Sequence, residues 1–106
     1  MNLTENQQTE LQEFAGIYLP LDKIARILEV DAQALIGEYQ KSDSQVRKLV
    51  DTGRLETEAK IQQTTFQLAI NGSVPALTAA REMMETTLRL EQLKFKQPVS
   101  LKDEEL

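Results

Sequence analysis

The string Asn71-Gly72-Ser73-Val74-Pro75 constrains this chain more than any other stretch. From residue 45 to that point no proline occurs, and the apolar residues recur at helical spacing. Leu55, Ala59, Phe66 and Ala69/Ile70 share one face, with Ile61, Thr65 and Leu68 adjoining it. Beyond the string, Leu77, Ala80, Met84 and Leu88 form a second stripe, widened by Ala76, Met83, Leu90 and Leu93. Asn-Gly supplies a left-handed helix stop, Ser73 a side-chain cap, and Pro75 fits the first turn of the next helix. Two long helices joined by so short a link must run antiparallel. Residues 45–95 therefore read as a helical hairpin.

Details inside the hairpin point to association. Gly53 is costly in the middle of a helix, by about 1 kcal/mol relative to Ala, and so marks a close helix–helix contact. Leu49, Val50, Leu55, Leu68, Leu88, Leu90 and Leu93 do not lie on one stripe, which is more apolar surface than two helices can cover between them. Gly53, Leu55, Phe66, Leu68 and Leu88 are the expected contacts between copies of the chain. Met83 and Met84 are expected to fill the hairpin interface. Glu56 and Glu58 point to different helix faces, so that pair is not expected to chelate a metal or to act as an acid–base couple.

Ahead of the hairpin, Asn2 or Thr4 caps a first helix running from about Glu5 to Tyr18, which buries Leu11, Phe14, Ala15 and Tyr18 or Leu19. Its outer face is rich in Gln and Glu and lacks basic residues, which suits packing better than DNA contact. Pro20 closes it and opens the next helix. Residues 21–39 then read as a helix-turn-helix. Ala25 is the small residue where the helices cross, Ile24, Leu28, Val30 and Leu35 form the shared face, and Asp31 caps the second helix. Glu29 stands where the turn commonly has Gly, and Glu38 stands at a late position that is usually apolar, with Tyr39 next to it as the substitute. Gly37 either allows close backbone approach or ends the second helix early. Ser42, Asp43 or Ser44 caps the long helix that follows.

In a helix-turn-helix the N-terminal residues of the second helix meet base edges. Here Gln33 is the one side chain there able to make a bidentate contact, to adenine. Lys23, Arg26, Lys41, Arg47 and Lys48 are the basic residues that can gather near the head. They are either solvated charges balanced by Asp22, Asp43 and Asp51 or a weak phosphate-contact patch. The formal net charge of −5 argues against strong nucleic-acid binding by a single copy, because phosphate neutralisation supplies most non-specific affinity.

The 106 residues contain no Cys and no His. That removes disulfides, Cys/His zinc sites, thiol nucleophiles and the usual acid–base group of neutral pH. No phosphate-binding glycine loop or nucleophile–base pair appears, so no catalytic residue, metal or cofactor is expected. No apolar run approaches the length of a membrane span, and no signal segment opens the chain. The expected location is the cytoplasm. Pro98 is expected to stop the last helix, leaving an acidic tail that is either a frayed end or a segment docking on a partner. The expected fold is all-α, with about five helices: a head over 1–43, a hairpin over 44–96 and a tail over 97–106.

Gly53-Arg54-x-Glu56-x-Glu58-Ala59, followed by a helix ending Leu68-Ala69-x-Asn71-Gly72-Ser73-x-Pro75-Ala76, resembles the small terminase subunits of tailed bacteriophages. In that family a helix-turn-helix head precedes a helical hairpin. The resemblance implies a non-enzymatic homo-oligomeric ring that binds the packaging site of double-stranded viral DNA in the cytoplasm of the host cell. It also implies regulation of a large terminase subunit that holds the ATPase and nuclease, with the tail as a candidate docking segment. The chain departs from the family in being short, acidic and poor in basic residues on the second helix of the head. Two other readings fit the same residues: a helix-turn-helix transcription regulator, and an interaction scaffold of that shape that does not touch DNA.

Overall fold

The computed structural model describes residues 1–99. Five helices follow one another, α1 (Glu5–Gly16), α2 (Leu21–Leu28), α3 (Ala32–Gln40), α4 (Gln45–Ile70) and α5 (Val74–Val99), and no strand occurs among the described residues. The fold is all-α, a helix-turn-helix-like head followed by an antiparallel helical hairpin. The chain divides into two compact units, Met1–Lys60 and Ile61–Leu106.

In the first unit each helix start has a chemical cause. Thr4 Oγ1 accepts from the backbone N–H of Gln7 at 3.1 Å, and Gln7 Oε1 accepts from the Thr4 N–H at 2.9 Å, a reciprocal box that satisfies two orphan donors. Gln7 Nε2 also donates to the Leu28 carbonyl at 3.1 Å, tying α1 to the end of α2. Asp31 Oδ2 accepts from the Ala34 N–H at 2.9 Å and starts α3, as its place in the sequence predicts. Of the three candidates for the cap of α4, Ser44 takes the role, accepting from the Arg47 N–H at 3.0 Å.

The helix ends share one device. After α1, Tyr18 donates to the Ala15 carbonyl and Leu19 to that of Phe14; after α2, Glu29 donates to Arg26 and Val30 to Ala25; after α4, Gly72 donates to Ala69 and Ser73 to Leu68. This double bond pattern needs a left-handed residue at its centre. Gly72 meets that need at φ +104°, whereas Tyr18 and Glu29 adopt φ +59° and +60° with full side chains.

The core of the first unit is Leu3, Leu11, Ala15, Ile24, Ala25, Leu28, Leu35, Val46 and Val50, with Phe14, Leu19, Val30, Tyr39 and Leu49 packed around it. Ala25 is fully buried, as a helix-crossing position requires, and Tyr39 reaches the core where Glu38 cannot. Tyr18 is exposed, so Leu19 is the residue of that pair that turns inward. Val46 and Val50 come from α4, and Gly53 is buried against α1. A Cβ on Gly53 would lie 2.2 Å from the Gln12 carbonyl oxygen. The first turns of α4 thus belong to the first compact unit, which runs to Lys60.

The second unit contains the last turns of α4, the link Asn71–Ser73 and α5. Ser73 caps α5 through the Ala76 N–H at 3.3 Å, and Pro75 stands in its first turn. Here only Ala76 and Ala80 are buried among the described residues, with Phe66, Ala69 and Met83 half-buried. α5 continues to Val99, one residue past the proline expected to stop it; the rest of the expected tail, 100–106, lies outside the described residues.

Candidate nucleic-acid interface

α3 carries the one side chain expected to read a base. Gln33 and Ala34 are exposed at its start, Ile36 and Gly37 are half-buried, and Asp31 occupies the entrance as the cap. α3 runs on past Gly37 to Gln40, and a Cβ at Gly37 would meet nothing within 4 Å, so neither early termination nor a close contact inside the chain accounts for that glycine.

The five basic residues fall into two sets. Lys23 and Arg26 on α2 and Lys48 on α4 are exposed and form no ion pair among the described residues. Lys41 is committed to Glu38 at 2.9 Å, and its hydrogen bond holds the Glu38 carboxyl below the usual glutamate range. Arg47 is bound more fully. Its Nε donates to Asp51 Oδ2 at 3.1 Å, an Nη donates to the Tyr39 carbonyl at 3.0 Å, and the guanidinium lies 4.5 Å from the centre of the Tyr39 ring. Its first role is to join the end of α3 to α4.

One basic residue at this end of α3 falls outside the set read from sequence. Arg54 lies two turns beyond Arg47 on the same face of α4, 5.5 Å from the centre of the Tyr18 ring and 5.9 Å from that of Tyr39. Tyr39 Oη donates to Asp51 Oδ1 at 3.2 Å. The signal was present in sequence as Arg47, Asp51 and Arg54, spaced four and then three positions apart, which places all three on one helix face.

The residues expected at contacts between copies are distributed as follows. Leu55, in the first unit, is 64% exposed. In the second unit Leu68 and Leu88 are exposed, and Phe66 and Leu88 line one apolar groove of about 350 Å³ with Met83 and Met84. The methionines thus face an open groove rather than a closed interface. Gly53 serves a contact within the chain, against α1. No helix among the described residues is long and apolar enough to cross a membrane, and no group of three or more acidic residues there is placed to hold a metal ion. No family model, curated protein or solved structure matches the chain.

Proposed function

We propose that the chain is a small-terminase-like DNA-packaging subunit: a non-catalytic protein that binds the packaging site of phage DNA as a homo-oligomeric ring and regulates the large terminase subunit. The observation that carries this reading is the pairing of parts. A helix-turn-helix presents Gln33 and Ala34 to solvent, and it is followed in the chain by a hairpin whose large apolar side chains are mostly uncovered. Exposed apolar surface on that scale is normally an interface. Lys23, Arg26 and Lys48 supply the phosphate contacts, multiplied by the number of heads on one duplex. Gln33 supplies the base contact.

A second reading, the scaffold that leaves DNA alone, draws support from Lys41 and Arg47, whose charges are answered inside the head by Glu38 and Asp51. Two measurements separate the readings. Light scattering should give a closed assembly of several subunits; a dimer would instead favour a helix-turn-helix regulator. Gel-shift titration at two salt concentrations should show binding that falls steeply with salt. No binding at low salt by the intact oligomer would leave the scaffold.

A further inference from the structure

Arg54 Nε is the one buried side-chain nitrogen or oxygen without a hydrogen-bond partner among the described residues. The guanidinium is half-buried, and no carboxylate among those residues comes within ion-pair distance of it. Taking a charge out of water without a counter-charge is costly, and proteins rarely leave it so. Arg47 on the same face shows the ordinary solution, with Asp51 and a backbone carbonyl as its acceptors. Arg54 has aromatic faces instead, and both tyrosines of the chain converge on it. A ring face attracts a cation but accepts none of its N–H groups in the guanidinium plane, so that edge keeps its capacity for an oxyanion that accepts two parallel N–H bonds.

The setting of this arginine is itself strained. Tyr18 holds its place beside Arg54 at φ +59°, a left-handed conformation that L-residues seldom adopt. Its hydroxyl reaches the Arg54 carbonyl at 3.5 Å. Glycine would end α1 without that strain, but it would remove a ring from Arg54. Gly53, which brings α4 against α1, precedes Arg54 directly.

We propose that Arg54, flanked by Tyr18 and Tyr39, binds a phosphate oxyanion through its guanidinium edge. The fork geometry of Arg matches phosphate bidentately, and such contacts set the register of a protein on a duplex without reading sequence. For the source of that phosphate the proposal rests on the function proposed above: it is the backbone of duplex DNA.

The test uses the full chain. Arginine Nε–H resonances are followed by NMR while sodium phosphate, sodium acetate or a short duplex is added at constant ionic strength, with Arg54 assigned by the signal lost in Arg54→Lys. Tyrosine emission is a second readout, since the chain has two Tyr, both beside Arg54, and no Trp. The Arg54 signal should shift saturably with phosphate and with duplex, and acetate, with its single charge, should move it less. Arg54→Lys keeps the charge and loses the fork, so it should stay folded and respond less to phosphate. Arg54→Met should lower the slope of log affinity for duplex against log salt by about 1 per head. An Arg54 signal unmoved by phosphate and duplex, or moved equally by acetate, would overturn the proposal. If phosphate moves it while bound duplex does not, the site stands and its ligand is a free phosphate compound. If duplex is not bound at all, the packaging reading fails and the phosphate titration decides the site by itself.

Discussion

The two compact units, each taken alone, solve the problem of burying apolar surface in opposite ways. Met1–Lys60 has a contiguous core in which Leu11, Ile24, Leu35 and Val50 are fully buried, and every helix start within it has a side-chain or proline cap. The described part of the second unit buries only two alanines, while Ile70 is 78% and Leu88 65% exposed. Its backbone is as well finished as that of the head: the Asn71–Ser73 link closes its hydrogen bonds and Ser73 caps α5. Regular backbone and a filled core are therefore separate achievements here. The head has both, and the described part of the hairpin has the first while its large apolar side chains are mostly exposed.

The largest effect that can break this contrast is a cavity. Leu35→Ala should cost the head about 2–5 kcal/mol, the usual range for deleting a fully buried leucine. Leu88→Ala, measured at a concentration where the protein is monomeric, should cost far less, because its side chain already contacts water. Denaturant unfolding of both variants checks it. Equal losses would mean that the hairpin side chain is covered in the monomer, and the contrast would fall.

Gly53 gives the next largest effect. A methyl group there would enter the Gln12 carbonyl, so α1 and α4 must part, and overpacking of this kind costs about 1–3 kcal/mol. Gly53→Ala should lower the melting temperature of the head and leave the mass of any oligomer unchanged. A variant that kept its stability and lost its oligomer would restore Gly53 to an interface between copies.

Two changes of opposite kind should stabilise the head by about 1 kcal/mol each. Glu29→Gly removes left-handed strain at the end of α2, less the extra freedom that glycine gives the unfolded chain. Gly37→Ala removes a glycine from the interior of α3 at a place where the new Cβ meets nothing. Thermal melts of the two variants and their double mutant check both size and additivity. If Gly37→Ala stabilises and also weakens DNA binding, the open space over that glycine belongs to a ligand.

These positions also show what could be read from the residues beforehand. Chemistry that is local in sequence was legible: the Asn-Gly-Ser-x-Pro link, the Asp31 cap, and the small crossing residue Ala25 each follow from a neighbour a few positions away. The left-handed Tyr18 was not, and Glu29 was marked only as standing where a turn commonly has Gly, because the preference for glycine there is statistical and tertiary contacts override it. Gln7 stands at the capping-box position three after Thr4, and that spacing was the missed signal for α1. Nor could periodicity tell where the head stops. Val46 and Leu55 lie on one continuous helix, and the pattern says that each is apolar without saying what covers it. The one is buried in the head and the other is exposed. For the candidate site, Gln33, Lys23, Arg26 and Lys48 are named from residue type, and the fold leaves all four exposed. The commitment of Lys41 and Arg47 inside the head depended on carboxylates and a carbonyl that only the fold brings near.

The smallest effect sharpens the contrast through charge, since the ion pairs among the described residues all lie in the head. Glu38 accepts from Lys41 at 2.9 Å and stands 4.0 Å from the N-terminal ammonium. The Lys41 hydrogen bond, aided by the charges of Lys41 and the N-terminus, lowers its pKa against a smaller opposing effect of desolvation. A carboxyl whose folded pKa is depressed binds its proton more readily in the unfolded chain. Its contribution is therefore fully present above the unfolded value, about 4.3 for glutamate, and is lost as pH falls through the lower folded value. The stability difference between the native chain and Glu38→Gln should stay level from neutrality down to that range and then shrink below it. The pair is surface-lying, so the difference should be small at all pH values and smaller in high salt. Carbon-13 titration of the Glu38 carboxyl together with denaturant melts of both proteins over this range checks it. A Glu38 midpoint at or above the ordinary glutamate value would remove the pair from the account of the head, leaving its stability to the apolar core alone.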